Sequence, residues 1–198
     1  MPQTDTDLAA LIGSRICHDL ISPIGAINNG LELLSMSGDA GGPEIGLIGE
    51  SVGSASARIR FFRIAFGAAA DQMVGAAEVL SILRDLYDGS RLTVRWPGDT
   101  PHARADVRLV FLSILCLESA LPYGGVIEVA HNGPHWTVTG RADRIAEMDG
   151  LWPLLSRDQT PHDLQPAHVQ FALLPIICGE AGRELRTSHG ATSLSVMF

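Results

Sequence analysis

The chain has 198 residues, 46% of them hydrophobic, and a formal net charge of −8. This hydrophobic content is enough for a folded core, and the negative charge argues against binding nucleic acid through a broad phosphate-neutralising surface. The longest apolar run, LVFLSILCL at 109–117, is about half of the roughly 20 residues that span a bilayer. Since the acidic start MPQTDTD lacks the basic region of a signal peptide, we expect a cytoplasmic protein, not bound to a membrane, whose partners are proteins.

The first part of the chain predicts two long helices. Apolar residues recur at alternating steps of three and four, which is typical of helices that pack in a bundle. They are Leu20, Ile24, Ile27, Leu31 and Leu34 in the first helix and Ile45, Ile48, Val52, Ala55, Ile59, Phe62 and Phe66 in the second. The stretch SGDAGGP at 37–43 breaks the pattern between them. We therefore predict a helical hairpin over residues 1–73, which pairs with a second copy into a homodimeric four-helix bundle that covers its apolar seams.

Residues 74–198 predict a mixture of helices and strands. The pattern is helical at 76–89, 105–121 and 168–182, and strand-like at 91–96, 126–131, 135–140, 184–188 and 191–198. Asn132-Gly133 is the dipeptide most typical of a hairpin turn. The whole chain is therefore expected to have an α+β fold, in which the helical hairpin precedes an α/β sandwich with helices on one face of a sheet.

The segment SRICHDLISPIGAINNG, residues 14–30, places a histidine inside the first predicted helix. If the apolar stripe faces the seam, the helical period turns His18 to another face. The other members of that face are Arg15, Ser22, Gly25 and Asn29. Asp19 is placed to fix the tautomer of the ring, and Pro23 is expected to bend the helix because it cannot donate to the Asp19 carbonyl. A neutral imidazole with one free nitrogen is a competent nucleophile toward an activated phosphoryl group, although position alone is equally consistent with an ordinary surface histidine.

The stretch HDLISPIGAI resembles the phospho-acceptor motif of sensor histidine kinases, H-[DE]-[LI]-x-x-P-[LI]. The longer SRICHDLISPIGAINNGLELL resembles the histidine phosphotransferases of the ChpT type from alphaproteobacteria, and the likeness runs over nearly the whole chain. It implies a two-component phosphorelay in which His18 receives a phosphoryl group from an aspartate on one receiver domain and passes it to an aspartate on another. Such receivers belong to a hybrid histidine kinase and to response regulators. His18 and Asp19 are then the catalytic candidates, and the partner-docking candidates are Arg15, Ser22, Pro23, Gly25 and Asn29.

The same resemblance implies where a nucleotide would bind, and the residues that build such a site are missing. Leu115 and Ser119 stand where the Mg²⁺-binding asparagines of a histidine kinase would fall. No Asp-x-Gly-x-Gly occurs, and TGRADRIAEMDGLW at 139–152 occupies its place. We therefore expect residues 74–198 to resemble a histidine-kinase ATPase domain without a working nucleotide site. The chain would bind no cofactor or metal of its own, and Mg²⁺ would lie on the partner receiver domain.

Two alternatives to the phosphotransferase remain open. One is an atypical ATP-dependent histidine kinase, and the other is a catalytically silent dimeric adaptor of a two-component system. Arg58, Arg60 and Arg63 form a basic cluster on the second helix. Most such clusters are solvated faces, but in a hairpin these arginines could lie near His18 and attract the acidic pocket of a receiver.

Overall fold

The computed structural model describes residues 5–37, 43–68, 71–148, 150–156 and 164–198. Two helices form a hairpin at the start of the chain, α1 (Asp5–Ser37) and α2 (Pro43–Ala65). The two predicted helices are therefore confirmed, whereas most of the predicted break between them lies outside the described residues. Pro23 lies inside α1, which continues beyond it. A single proline removes one backbone hydrogen bond, and here that loss does not end the helix.

A glycine brings the two helices of the hairpin into close contact. Gly30 of α1 is buried, and a Cβ atom at this position would lie 2.6 Å from Cγ1 of Ile48 on α2. A larger residue would have to displace Ile48, because real Cβ atoms do not approach a neighbour that closely. The hairpin packing thus depends on the absence of a side chain at residue 30.

Each apolar seam of the hairpin is divided between two environments. One line is partly or fully buried in the protomer, and its members are Leu20, Ile27, Leu34, Ile48, Ala55 and Phe62. A second line lies beside it and is 46% to 53% exposed; its members are Ile24, Leu31, Ile45, Val52 and Ile59. The protomer therefore leaves five of the twelve residues of the predicted pattern exposed. Within the described ranges, no helix has the length and apolarity needed to cross a membrane.

The remaining described residues form the α/β unit, residues 71–198. Its elements in chain order are β1 (Met73–Val74), α3 (Ala76–Tyr87), β2 (Leu92–Arg95), β3 (His102–Ala103), α4 (Arg104–Ala120), β4 (Gly125–Asn132), β5 (His135–Arg141), α5 (Val169–Glu180), β6 (Arg186–His189) and β7 (Ser193–Met197). Two short 3-10 helices, Trp152–Ser156 and Pro166–His168, precede α5. The three predicted helices and five predicted strands of this region are confirmed. The two-residue strands β1 and β3, which pair with each other, were not predicted.

The five-stranded sheet is mixed, with the order β2-β4-β5-β7-β6. β2 runs parallel to β4, because the chain crosses over through α4 between them, and the other neighbouring pairs are antiparallel. Asn132 pairs with His135, so the β4–β5 turn consists of Gly133 and Pro134. Gly133 has φ +60°, a left-handed conformation that favours glycine. The predicted hairpin and the predicted α+β class are both confirmed.

Helices cover one face of the sheet. Ile127, Val138 and Val196 point to the buried face, and a Cβ atom at Gly140 would lie 3.2 Å from Cδ2 of Leu117 on α4. On the other face, the hydroxyl groups of Thr139 and Ser195 share a hydrogen bond of 2.9 Å. This alternation of apolar and polar positions is expected for a sheet that packs on one side only.

The base of the hairpin shares a core with the α/β unit. Phe61 of α2 stacks on Phe111 of α4 with ring centroids 4.3 Å apart, and Leu8 and Phe62 belong to the same buried cluster. The boundary predicted between residues 73 and 74 falls inside β1 (Met73–Val74). Whether each part is an independent domain stays a prediction, since their apolar contacts are continuous.

Candidate functional site

His18 lies on α1 with its ring in solvent. Its side chain is 80% exposed, and Nδ1 lies 3.1 Å from Oδ1 of Asp19. Because a carboxylate only accepts hydrogen bonds, this contact places the proton of a neutral ring on Nδ1. The lone pair is then on Nε2, which makes no hydrogen bond to any described residue. The ring is therefore oriented at one nitrogen and accessible at the other.

Asp19 is itself held in place by two arginines. Its side chain is only 11% exposed, Nε of Arg15 donates to Oδ2 at 2.8 Å, and Nη1 of Arg58 lies 3.8 Å from the same oxygen. Oδ1 is thereby left to face His18. Two guanidinium groups on one carboxylate oxygen restrict the rotation of the carboxyl group, so the His18 contact rests on a supported partner.

The three arginines of the predicted basic cluster have different partners. Arg58 lies against Asp19, whereas Arg60 donates to Asp85 at 2.6 Å and Arg63 to Glu78 at 3.4 Å, both on α3. Arg60 and Arg63 therefore join the hairpin to the α/β unit. Of the three, only Arg58 has a contact with the His18–Asp19 pair, so the expectation that the basic cluster lies near His18 is met by Arg58 and not by Arg60 or Arg63.

The predicted docking residues differ in accessibility. Ser22 and Asn29 are exposed on the His18 side of α1, and Gly25 is half-buried with open space where its Cβ would stand. Pro23 is buried. Arg15 is turned inward, with 12% of its side chain exposed and a hydrogen bond to the carbonyl of Ala167. The helix thus brings Ser22, Gly25 and Asn29 together beside His18, and the docking role of all five residues stays a prediction.

Two residues of the α/β unit lie beneath this pair and were not predicted. Tyr87 of α3 donates from its hydroxyl group to Oε2 of Glu118 on α4 at 3.4 Å. Burial raises the pKa of Glu118 from its ordinary value, while Arg15 and Arg58 oppose that rise. Burial, and the charge of Glu118, also hold the pKa of Tyr87 well above its usual range. One signal was available in the sequence, because Glu118 is the only carboxylate between residues 107 and 121.

Leu115 and Ser119, the two positions that the kinase resemblance singles out on α4, take part in packing between α4 and α5. Leu115 is 4% exposed, and the hydroxyl group of Ser119 donates to its carbonyl at 3.0 Å. Gln170 of α5 is fully buried, and its Nε2 donates to the Ser119 hydroxyl at 3.1 Å. This stretch of α4 is therefore covered by a side chain of α5.

Comparison with known proteins identifies the family of this chain. The family model for the histidine phosphotransferase C-terminal domain matches residues 76–193. Protein phosphotransferase ChpT of Brucella abortus (strain 2308) is 34% identical over 200 residues, which cover 97% of this chain and 94% of that protein. A solved structure of a bacterial phosphotransferase has a TM-score of 0.80 and 29% identity, over 100% of this chain and 98% of that one. The resemblance predicted from the His18 motif is confirmed, and the chain belongs to the histidine phosphotransferase family.

Proposed function

We propose that this phosphotransferase passes phosphoryl groups between aspartates of receiver domains through His18. The observation that carries the proposal is the environment of the His18 ring. Its Nδ1 lies 3.1 Å from the Asp19 carboxylate, and the side chain is 80% exposed. A solvated, singly oriented imidazole is what a nucleophile needs if its electrophile arrives on another protein. The partners in this proposal are the receiver domains of a hybrid histidine kinase and of response regulators, in the cytoplasm.

The proposed transfer is a substitution at phosphorus. The lone pair of His18 Nε2 forms a bond to phosphorus while the bond from phosphorus to the receiver aspartate breaks, and the aspartate leaves as a carboxylate. The ring gains positive charge in this step, which the Asp19 carboxylate beside Nδ1 offsets. In the second step an aspartate of the next receiver attacks phosphorus and the neutral ring is restored. We assign the Mg²⁺ that neutralises the phosphoryl oxygens to the receiver.

A receiver that reaches His18 must also cover the residues around it. Ser22, Gly25 and Asn29 lie on the same side of α1, and the first two are small. A flat surface of this kind permits close approach of another protein to Nε2. Arg58 lies beside Asp19 with 39% of its side chain exposed, so it is the arginine of the basic cluster that an acidic pocket reaches at this site.

We also propose that the chain works as a homodimer with a four-helix bundle. The support is the exposed line on the hairpin, since it joins residues of both helices at seven-residue spacing: Ile24 and Leu31 on α1, with Ile45, Val52 and Ile59 on α2. Large apolar side chains in one continuous line are costly in water and typical of a protein interface. A second hairpin offers a matching line. Pairing of the two lines would bury the apolar residues of the alternating three- and four-residue pattern that the protomer leaves exposed.

The proposed dimer is tested by introducing negative charges into the exposed apolar line of the hairpin. The double variant Val52→Glu with Ile59→Glu is expected to run as a monomer, because burial of two carboxylates against apolar residues is unfavourable. Light scattering after size exclusion should give twice the 21.1 kDa chain mass for the wild type and the single mass for the variant. Ile176→Glu is the matched control, since Ile176 is 41% exposed on α5. A wild-type monomer, or a dimeric double variant, contradicts the proposal.

The relay is tested by labelling. A radiolabelled, phosphorylated receiver domain should transfer its label to the wild type. His18→Gln should remain unlabelled because the nitrogen lone pair of its amide is delocalised into the carbonyl group and is not nucleophilic. His189→Gln, an exposed histidine on β6, is the control and should be labelled at the wild-type rate. Label in His18→Gln overturns the assignment. Labelling of the wild type by ATP alone would favour a kinase, and the absence of transfer from every receiver tried would favour a silent adaptor.

The degraded nucleotide motifs support the relay over the kinase. Ser119 and Gln170 bond to each other, at the place where the kinase resemblance puts an asparagine for Mg²⁺. The relatives reported above are phosphotransferases by name. We therefore propose that the α/β unit keeps the kinase-like architecture without its nucleotide chemistry and serves to support the hairpin.

A further inference from the structure

Four charged side chains from three helices meet just below His18. Asp19 and Arg15 belong to α1, Arg58 to α2 and Glu118 to α4. Arg15 and Arg58 contact Asp19 directly, and both also act electrostatically on Glu118, as does Asp19. We call these four residues the charge cluster. Its two arginines and two carboxylates balance when both carboxyl groups are ionised, so the arginines are shared between a carboxylate that touches His18 and one that does not.

The four side chains of the charge cluster line a common cavity. A cavity of about 30 Å³ is lined by all four members and by Tyr87. That space admits a water molecule with polar partners on several sides. The Tyr87 hydroxyl, at 3.4 Å, fixes one oxygen of Glu118. Glu118 therefore faces the arginines from the side of the α/β unit, while Asp19 faces them from the side of the hairpin.

We propose that Glu118 is a positioning residue for His18, which holds Arg15 and Arg58 in the arrangement that leaves Oδ1 of Asp19 on Nδ1 of the ring. This inference rests on the proposed role of His18 in phosphotransfer. Glu118 has no contact with the His18 ring, so it acts on the ring only through the charge cluster. The α/β unit thereby contributes a charge, and not only a scaffold, to the phosphotransfer site.

Loss of the Glu118 charge has a defined physical effect. With Gln at this position the two arginines retain a single carboxylate, Asp19, and are attracted to it without competition. Both oxygens of Asp19, and not Oδ2 alone, should then be drawn to the arginines, which weakens the contact of Oδ1 with Nδ1 of His18, now 3.1 Å long. A ring without this contact loses the preference for the Nδ1-protonated tautomer, so that Nε2 carries the lone pair less often.

The test combines a rate with a spectroscopic signature. Glu118→Gln is expected to lower the rate of transfer from a phosphorylated receiver about tenfold, and to shift the ¹⁵N resonances of His18 toward the Nε2-protonated tautomer. Glu118→Asp keeps the charge and should retain most of the rate and the wild-type tautomer. Tyr87→Phe removes only the hydroxyl group and should have a smaller effect than Glu118→Gln. Thermal unfolding of each variant establishes that it is folded.

Two results would overturn the inference. One is a folded Glu118→Gln protein with the wild-type rate and tautomer, which would mean that the charge is irrelevant to His18. The other is a reduced rate with an unchanged tautomer, which would assign Glu118 to the fold or to docking. The tautomer is measured on this chain alone. A wild type that takes no phosphoryl group from any receiver would therefore refute the proposed relay, while the tautomer of His18 in Glu118→Gln would still decide whether Glu118 positions the ring.

Discussion

At the scale of single residues, the contact between His18 and Asp19 distinguishes the proposed nucleophile from an ordinary exposed histidine. A free surface imidazole samples several rotamers and both tautomers. Here Asp19 is held by Arg15 at 2.8 Å and approached by Arg58 at 3.8 Å, so its second oxygen offers His18 a fixed acceptor. The motif predicted the histidine and its acidic neighbour. It could not predict Arg58, because that contact exists only after α2 folds back along α1.

The prediction for Gly25 belongs to the same scale. Gly25→Leu should block phosphotransfer by filling the space beside His18 while leaving the protein folded. A Cβ at this position meets no atom within 4 Å, and leucine is a better helix former than glycine by somewhat under about 1 kcal/mol. Transfer rate and thermal unfolding are the two measurements.

Gly46→Leu is the matched control for Gly25→Leu. Gly46 also has open space around its Cβ position, but it lies near the start of α2, at the far end of the hairpin from His18. This variant should transfer at the wild-type rate. If folded, dimeric Gly25→Leu does so as well, the predicted docking face on α1 is wrong.

At the scale of elements, the hairpin depends on Gly30. Gly30→Leu is expected to reduce the free energy of unfolding by about 1 to 3 kcal/mol, the usual range for overpacking, because the first added atom already lies 2.6 Å from Ile48. Urea denaturation measures the change. Gly25→Leu makes the same substitution five residues earlier without a clash, so equal stability of the two variants would contradict the close packing of α1 on α2.

The elements also mark the limit of what the sequence predicts. Alternating apolar steps predicted α1 and α2, yet they could not tell that Phe62 is buried in the protomer while Ile59, three residues earlier, is exposed. Both positions look alike in a repeat, and the difference comes from contact with the α/β unit. The pairing of β1 with β3 was missed for another reason, since two-residue strands carry no periodicity. The strands of the sheet are longer and alternate clearly, so they were predicted.

At the scale of the whole molecule, the hairpin and the α/β unit share a buried core next to the phosphotransfer site. Phe61 stacks on Phe111 below the charge cluster, and Arg15 bonds to the carbonyl of Ala167 just before α5. The sequence suggested a division at residue 73, because helical and mixed patterns meet there. Shared burial is not visible in such patterns, since it arises from which faces of distant helices meet. Perturbing the α/β unit is therefore expected to reach the phosphotransfer site.

The stability of the whole molecule should fall on acidification below about pH 6.5, the ordinary pKa of histidine. Burial lowers the pKa of His102, with His131 acting in the same direction and Asp106 opposing it, and burial also lowers the pKa of His168. The unfolded chain then binds more protons than the folded one between the folded and the unfolded pKa. The free energy of unfolding decreases as pH falls through that window, by at most about 1.4 kcal/mol per pH unit for each histidine.

Protonation of Glu118 has the opposite effect on the free energy of unfolding, and it occurs at lower pH. Because burial raises its pKa, the folded state binds the extra proton between the ordinary carboxyl pKa and the raised one, and acidification through that window is stabilising. Urea titrations at pH 7.5, 6.5, 5.5 and 4.5 and at one protein concentration cover both windows. His102→Phe keeps a ring in the cluster with Trp136, 4.7 Å away between centroids, and should flatten the dependence between pH 6.5 and 5.5. An unchanged slope in this variant would show that His102 is not the group that binds the proton on unfolding.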